Sequence, residues 1–380
     1  MSGWKIPLIT PEVDDQDARA VYDVVLAGDV AVGREQEHFE RIVTDITGAK
    51  FGVSLSSGTA ALHLALLALD VGPGDEVIVP DLTYIASANP VRYVGAAPVL
   101  VDIKPDDGNV DVDILNDFIE ERVRRNYILP KAIIAVHVLG EPCDMEKLLA
   151  ISKNYGIPII EDAAQSFGAT YGAGKLAYKA TGSIGKFGVL SFSGNNIVTT
   201  GGGGMLLTND GALASKVRHL STQGKLANNN FDHNVVGYNY RLSNIAATLG
   251  IVQAKKLSAF IKAKRLIYYR YRENLELISN IRMIAINPIN NGSCWLSTAV
   301  FQDKKTRIKV EASLRSNGIE CSTLWTPIHK QAPYIEAPFV GAGVSVDLAE
   351  RSLSLPSSTS LRESEQKEVI DTIISTLVHI

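Results

Sequence analysis

Residues 131–162, KAIIAVHVLGEPCDMEKLLAISKNYGIPIIED, decide the fold. Two short apolar runs, at 131–138 and 157–162, flank an amphipathic stretch at 144–156 that starts with an acidic N-cap candidate and ends in glycine. Apolar runs of this length suit strands that are covered on both faces. The order strand, helix, strand predicts parallel strands joined by a helical crossover, and therefore an α/β sheet.

The same pattern extends toward the N terminus. Apolar runs at 76–80 (EVIVP) and 98–102 (PVLVD) predict further strands. Residues 59–69 (TAALHLALLAL) are apolar on nearly all sides, as expected of a helix packed inside a layered protein. A long helical stretch begins near residue 242 and leads out of this region. We therefore predict a large α/β domain, with a mostly parallel central sheet, over residues 1–258.

Residues 259–380 predict a smaller C-terminal α+β domain. A strand is expected near 295–301, a helix near 307–317, a strand near 320–324, and a last helix at the C terminus. The sequence shows neither internal repeats nor a low-complexity linker between the two domains.

Composition narrows the possible partners and locations. The net charge of the 380 residues is −4 without a long basic run, so neither nucleic acid nor an anionic membrane is an expected partner. No apolar stretch reaches the roughly 18 residues of a membrane-spanning helix, and residues 1–7 lack an apolar signal core. The 3 cysteines are far apart and form no metal-binding motif, which favours buried free thiols and a cytoplasmic location.

Three segments carry candidate chemistry, and the first is Ser56-Ser57-Gly58-Thr59, just before the apolar helix. Unpaired N–H groups at a helix start, together with the helix dipole, favour an anion such as a phosphate. The alternative is a capped helix start without a ligand.

The second segment, Glu161-Asp162-Ala163-Ala164-Gln165, follows the apolar run that ends the crossover unit. Open α/β sheets bind ligands at the carboxyl ends of their strands. A carboxylate there, Asp162, can hold a pyridine nitrogen in its protonated form, and Gln165 can reach a ring hydroxyl. The alternative is that Asp162 caps a helix.

The third segment, LSFSGNNIVTTGGGG, covers residues 190–204 and ends in four glycines. Consecutive glycines are costly in backbone entropy, so they indicate positive φ angles or a close approach to something bound. A tight hairpin without a ligand is the alternative. The occurrence of all three segments in this order makes a shared site the stronger interpretation.

These segments resemble the pyridoxal-phosphate (PLP) dependent nucleotide-sugar aminotransferases of the DegT type, which have the type I aminotransferase fold. The resemblance extends over nearly the whole chain and also includes the loop 28–33, PGDEVIVPDLTYIASAN, GYNYRLSNIAA and LPSS. It is strongest to enzymes that place an amino group on C4 of a 4-keto-6-deoxy nucleotide sugar. The perosamine and the legionaminic or bacillosamine branches are the most similar, and TTGGGG favours the second.

The resemblance implies roles for individual residues. Asp162 is expected to contact the ring nitrogen of the cofactor, Gln165 its ring hydroxyl, and Tyr84 to stack on the ring. Gly58, Thr59 and Ser191 correspond to ligands of the cofactor phosphate. For Tyr84, packing in the core is the alternative.

Two further roles concern the partner subunit and the substrate. Asn239, in GYNYR, corresponds to a phosphate contact that the neighbouring subunit supplies, which implies a homodimer with shared active sites. His329, in TPIHKQAPY, corresponds to a histidine near the sugar nucleotide and is a candidate catalytic residue. For His329, a turn or core position is the alternative.

One residue departs from the family pattern. The corresponding family motif is S-F-x-G-N-K, and its lysine binds PLP covalently. In this chain, Asn196 occupies the position of that lysine. An amide nitrogen is neither nucleophilic nor usefully basic, so both the covalent link and proton transfer by lysine are lost. Lys175, Lys179 and Lys186 lie upstream of the expected position and are poor substitutes.

Three explanations of Asn196 stay open. In the first, Asn196 is an introduced substitution. In the second, the chain is a natural family member with altered chemistry, such as a pyridoxamine-phosphate (PMP) dependent sugar dehydratase. In the third, the chain binds a nucleotide sugar without catalysis. The leading prediction is an aminotransferase scaffold that moves an amino group from an amino acid, glutamate in the family pattern, to a 4-keto nucleotide sugar. Its product would enter a surface glycan such as a lipopolysaccharide O-antigen.

Overall fold

A computed structural model of the chain describes residues 3–226 and 231–378. Its strands, numbered along the chain, are β1 (Phe51–Leu55), β2 (Glu76–Pro80), β3 (Ala97–Val101), β4 (Ala132–Val136), β5 (Ile159–Asp162), β6 (Phe187–Ser191), β7 (Gly204–Thr208), β8 (Ile281–Met283), β9 (Ser297–Phe301), β10 (Phe339–Val340) and β11 (Ser352–Leu355). Its helices are α1 (Asp15–Leu26), α2 (Arg34–Thr47), α3 (Gly58–Ala68), α4 (Asn89–Tyr93), α5 (Val112–Arg124), α6 (Met145–Tyr155), α7 (Gly211–Ser221), α8 (Asn244–Leu275), α9 (Lys304–Ser316), α10 (Val344–Arg351) and α11 (Glu363–Val378).

The central sheet contains eight strands in the order β1-β7-β6-β5-β4-β2-β3-β10. Strand β7 runs antiparallel to β1 and β6, and all other neighbouring strands are parallel. The mostly parallel α/β sheet expected from the sequence is confirmed. Strands β4 and β5 are buried along their whole length, as their continuous apolar runs predict.

The crossover between these two strands forms as its sequence predicts. Asp144 caps α6 by accepting a hydrogen bond from the backbone N–H of Lys147 (3.1 Å). Gly156 ends the helix with a φ of 71°, which a residue without Cβ adopts at little cost. The chain then turns directly into β5.

The direction of the strands brings distant segments to one edge of the sheet. The carboxyl ends of β1, β2, β5 and β6 lead into Ser56, Asp81, Asp162 and Ser191. Because β7 is antiparallel, the glycines before its first residue lie at the same edge. This edge is where an open α/β sheet is expected to bind its ligand.

A second, three-stranded antiparallel sheet, in the order β11-β9-β8, forms near the C terminus. Helix α8 joins the two regions: Leu257 and Phe260 pack in the core of the central sheet, while Tyr268 and Tyr271 pack in the C-terminal core. The division at residues 258 and 259 falls inside this continuous helix, and it stays a prediction.

The prediction of a strand near 320–324 is wrong. Only isolated bridges form there, between Ile319 and Ile6 and between Ser322 and Ser354. The physical reason is that the segment pairs briefly with two different neighbours instead of lying along one of them. It then continues toward the carboxyl edge of the central sheet.

Within the described residues, no helix has both the length and the apolar character needed to cross a membrane. Cys143, Cys294 and Cys321 are buried free thiols.

Lys264, on α8, is an unusual buried amine, with only 2% of its surface exposed. Its Nζ donates to the backbone oxygens of Trp295 (2.9 Å) and Ser357 (2.8 Å). Burial lowers the pKa of Lys264 from 10.5 to about 7. Two acceptors match the two N–H donors of a neutral amine, so the neutral form needs no further partner.

We expect Lys264 to make stability depend on pH. Because its pKa is lower in the folded chain, the unfolded chain binds more protons between pH 7 and 10.5, and the free energy of unfolding rises with pH across that interval. In Lys264→Met this rise should be smaller by about 1.4 kcal/mol for each pH unit. Urea unfolding at several pH values measures it.

Lys262→Met is the matched control, because Lys262 is exposed on the same helix. It should retain the pH dependence of the native chain. Parallel stability curves for Lys264→Met and the native chain would contradict the assignment.

Candidate active site

A cavity of about 400 Å³ opens at the carboxyl edge of the central sheet. Residues from all three sequence segments line it, including Thr59, Asp162, Gln165, Ser191 and Asn196. The structure therefore brings together residues as far apart as Ser56 and Gly203, which are separated by 147 positions in the chain. The order of these segments predicts that they meet at one site, and in the structure residues of all three line a single cavity.

The start of α3 forms one end of the cavity. Ser57 caps this helix by accepting a hydrogen bond from the backbone N–H of Ala60 (3.0 Å), and the next residue, Gly58, lies against β6. A Cβ on Gly58 would lie 2.9 Å from the Cβ of Ser191, so only glycine allows this approach. Backbone N–H groups at the helix start and the hydroxyls of Thr59 and Ser191 are thus available to an anion.

The need for glycine differs among the four positions 201–204. Gly201 has a φ of +78°, while a Cβ on Gly203 would lie 2.4 Å from Thr200 Oγ1. A Cβ on Gly204 would lie 2.4 Å from the backbone carbon of Ser57, so this glycine lets β7 approach the start of α3. Gly202 meets neither condition, but it lines the cavity.

Asp162 lines the cavity and is 6% exposed. Its Oδ2 accepts a hydrogen bond from Ser87 Oγ (2.7 Å), and its Oδ1 accepts one from the backbone N–H of Ala164 (3.2 Å). Burial raises the pKa of Asp162, and the hydrogen bond from Ser87 opposes this rise. Turns, not a helix, follow at 163–168, so the carboxylate does not cap a helix.

The neighbouring Glu161 fixes the same strand end from the other side. Its carboxylate accepts the backbone N–H groups of Gly182, Ile184 and Gly185 at 2.6–2.9 Å. It also contacts His137 Nε2 at 3.1 Å. Burial alone lowers the pKa of His137, but contacts with Cys143 and Glu161 raise it to about 10.

Tyr84 and Gln165 also line the cavity. Tyr84 is 58% exposed, so it is not a core residue, and its ring is free to stack on a ligand. Gln165 Oε1 accepts a hydrogen bond from the backbone N–H of Leu139 (2.7 Å). The amide nitrogen of Gln165 is therefore the end that can donate to a ligand.

Asn196 is half-buried and lines the cavity. Its backbone N–H donates to Ser193 O (3.1 Å) in a tight turn. Among the residues that the structure describes, no lysine lines the cavity. Lys186, for example, pairs through Nζ with Asp210 Oδ2 at 2.9 Å outside it.

Two candidates do not line the cavity of this single chain. His329 donates its backbone N–H to Asp81 Oδ1 (2.9 Å), its Nδ1 lies 2.7 Å from Asp81 Oδ2, and its ring stacks on Phe339. Asn239 is exposed and forms an isolated backbone bridge with Thr222.

Comparison with known proteins decides the family. The model of the DegT/DnrJ/EryC1/StrS aminotransferase family matches residues 11–374. The chain belongs to this family. It is also 35% identical over 378 residues to a GDP-perosamine synthase of Caulobacter vibrioides, a match that covers 98% of this chain and 99% of that protein.

Solved structures of the DegT family have the same fold. A DegT/DnrJ/EryC1/StrS aminotransferase from Brucella abortus is 30% identical, with a TM-score of 0.89 over 95% of each chain. Spr1654 of Streptococcus pneumoniae, solved in PLP and PMP forms, is 27% identical with a TM-score of 0.89 for both. The match to the PLP form covers 98% of this chain and 99% of that chain. The match to the PMP form covers 99% of this chain and 100% of that chain. The chain thus has the type I aminotransferase fold and is an enzyme of a family that uses PLP and PMP.

The cavity fits this cofactor. A protonated ring nitrogen offers the buried carboxylate of Asp162 the positive partner that its other contacts do not supply. The backbone N–H groups at the start of α3 and the hydroxyls of Thr59 and Ser191 suit a phosphate. These two ends of the cavity match the two charged ends of PLP.

Several residues that line the cavity have no role predicted from the sequence, among them Thr83, Ser87, Trp295 and Trp325. Ser87 lies three residues after Tyr84, but no local pattern relates it to Asp162. The chain has only 3 tryptophans, and their rarity was the one available signal for Trp295 and Trp325.

We predict that Ser87→Ala weakens PMP binding about tenfold or more, because a hydrogen bond to a charged group contributes about 1.5–3 kcal/mol. Without the hydroxyl, the pKa of Asp162 rises further, so binding should be lost at a higher pH as the solution is acidified. Titration of PMP at several pH values measures both effects.

Ser193→Ala serves as the control, since Ser193 also lines the cavity while Ser87 supplies the side-chain hydrogen bond to Asp162. Equal losses in the two variants would show that Ser87 does not act through Asp162.

Proposed function

We propose that this chain is the scaffold of a nucleotide-sugar 4-aminotransferase whose cofactor is held without a covalent link. The amino group would come from an amino acid, glutamate, and go to C4 of a 4-keto-6-deoxy nucleotide sugar. The observation that carries the proposal is a cavity lined by both Asp162 and Asn196, in which the buried Asp162 is the one charged side chain among the described lining residues.

Each part of the cavity has a role in this proposal. Asp162, held by Ser87, keeps the ring nitrogen of the cofactor protonated, and the protonated ring supplies an electron sink. The start of α3, with Thr59 and Ser191, binds the phosphate. Tyr84 packs on the ring, and Gln165 orients its hydroxyl.

Asn196 changes what the cavity can do. Its amide can neither bond covalently to PLP nor move a proton at the reacting carbon, work that typically contributes about 10²–10⁴-fold to a rate. The chain should therefore bind PMP noncovalently and fail to regenerate it from an amino acid. Similarity to a UDP-4-amino-4-deoxy-L-arabinose–oxoglutarate aminotransferase of Shewanella sediminis supports C4 as the position of amino transfer.

The dimer is part of the proposal. Asn239 lies in an exposed segment that also carries Val235 and Val236, with 44% and 87% of their surfaces exposed. Exposed apolar side chains beside a candidate phosphate ligand favour a second copy of the chain as the partner. Asn239 would then complete the partner's phosphate site. Cytoplasmic location and a role in surface-glycan synthesis, including O-antigen, stay predictions.

We predict that Asn196→Lys binds PLP through a covalent link that borohydride reduction traps, whereas the native chain does not. With glutamate and a 4-keto-6-deoxy nucleotide sugar, the variant should give a product with an amino group in place of the keto oxygen. Mass spectrometry and absorbance measure the product and the link. A 3-keto isomer tests the position of transfer.

Asn196→Gln is the matched control, because it lengthens the side chain without adding an amine. A revertant that binds no PLP covalently would contradict the aminotransferase scaffold. Loss of water without gain of an amino group, from the native chain with PMP, would favour the PMP-dependent dehydratase. Tight sugar-nucleotide binding without product in either chain would favour a non-catalytic binder.

Co-expression of Asp162→Ala and Asn239→Ala chains tests the shared site. If each Asn239 serves the partner's cavity, a mixed dimer has one intact site, and random pairing leaves about a quarter of all sites intact. Tight PMP binding should thus return at about that stoichiometry in calorimetry. No recovery on mixing would place Asn239 outside the partner's site.

A further inference from the structure

The cavity has two chemically different ends. Hydroxyls and backbone N–H groups surround the start of α3, whereas Trp295 and Trp325 form an aromatic wall. The planes of the two indoles are 6° from parallel, and their ring centroids are 6.4 Å apart. We use "aromatic wall" for these two side chains.

The aromatic wall lies beside the reacting end of the cavity. Trp295 Nε1 donates to the backbone oxygen of Asn195 (2.7 Å), the residue before Asn196. The backbone N–H of Trp295 donates to Leu139 O (2.9 Å), and its oxygen accepts from Lys264 Nζ (2.9 Å). Trp295 is therefore fixed on three sides, and its one polar side-chain atom is already used.

Trp325 is also held in place, through the segment that follows it. The backbone N–H of Ile328 donates to Asp81 O (2.8 Å), and His329 contacts both carboxylate oxygens of Asp81. Asp81 is fully buried and comes two residues before Thr83, which also lines the cavity. The spacing between the aromatic wall and the cofactor side is thus fixed by buried hydrogen bonds.

The charge of the cavity restricts what can lie against this wall. Asp162 is the only charged side chain among the described residues that line it. Among the described residues of the single chain, neither lysine nor arginine lines it, and the groups at the start of α3 are already assigned to the cofactor phosphate, so a diphosphate would find no pairing group beside the aromatic wall. A neutral ring needs no such group.

Aromatic faces favour a particular kind of neutral ring. The face of an indole carries partial negative charge, so it attracts the weakly positive C–H groups on the apolar face of a sugar. A hydroxyl against the same face would lose its hydrogen bonds to water without replacement. A methyl group at C6 suits this wall better than a hydroxymethyl group.

From this geometry we infer that Trp295 and Trp325 are the sugar-recognition residues, which bind the apolar face of a neutral 6-deoxyhexose. The nucleoside diphosphate lies outside the cavity. This inference rests on the proposed function, since it takes a nucleotide sugar as the substrate.

Intrinsic fluorescence is a direct test, because two of the 3 tryptophans of the chain line the cavity. The native chain, loaded with PMP, is titrated with a nucleoside diphosphate, a nucleotide 6-deoxyhexose, and the corresponding 6-hydroxy nucleotide sugar. GDP- and UDP-linked ligands are both used. The same titrations, followed by calorimetry, are made on Trp325→Leu, Trp325→Phe and Trp295→Phe.

Trp325→Leu should weaken binding of the 6-deoxy nucleotide sugar about tenfold, which corresponds to about 1.4 kcal/mol. It should leave binding of the nucleoside diphosphate alone unchanged, and Trp325→Phe should recover most of the loss. The native chain should prefer the 6-deoxy sugar over its 6-hydroxy counterpart severalfold. Trp4→Phe, which alters the tryptophan that packs on Arg315, is the control and should change none of these affinities.

Equal losses for the nucleoside diphosphate and the nucleotide sugar would overturn the inference, as would unchanged affinity in Trp325→Leu. PMP binding, measured first in every variant, separates this outcome from failure of the proposed function. A chain that binds PMP and sugar nucleotides without using the aromatic wall refutes only the inference. A chain that does not bind PMP refutes the proposed function as well.

Discussion

A single buried carboxylate governs this site. Asp162 ends the strand β5 in the middle of the central sheet, where burial raises its pKa and makes its charge costly. Ser87 and the backbone of Ala164 compensate this cost only in part, because both are neutral donors. In the proposed function, a cofactor with a protonated ring nitrogen would supply the positive partner, so that binding would complete the electrostatics of the site.

The surrounding structure holds that carboxylate in place. Glu161, the preceding residue, points to the other face of β5 and binds three backbone N–H groups and His137. These contacts fix the strand end and leave Asp162 little freedom to turn away from the cavity. A site with so few charges depends on this rigidity, since a displaced carboxylate would lose its partner.

Binding the cofactor and turning it over are separate tasks in this chain. The residues proposed to bind the phosphate and the ring line the cavity together with the buried carboxylate, while position 196 offers an amide in place of an amine. Trp325 lines the cavity, and Asp81 ties the segment that follows it, through His329, to the end of β2. The cavity is thus preformed for ligands even though its covalent anchor is missing.

The sequence by itself determined the parallel sheet, the cradle before α3, the carboxylate at the end of β5 and the asparagine at position 196. Each of these follows from a local pattern. The spacing of apolar residues predicts the sheet, and a capping residue marks the start of α3. Asp162 and Asn196 are read directly from their places in the chain. The tertiary structure alone decided that Ser87 holds Asp162, 75 residues away, and that Asp81 holds His329, 248 residues away. It also decided that Trp295 and Trp325 lie parallel, and that residues 320–324 pair too briefly to form a strand. Such contacts depend on where the backbone returns in space, and sequence periodicity carries no information about that return.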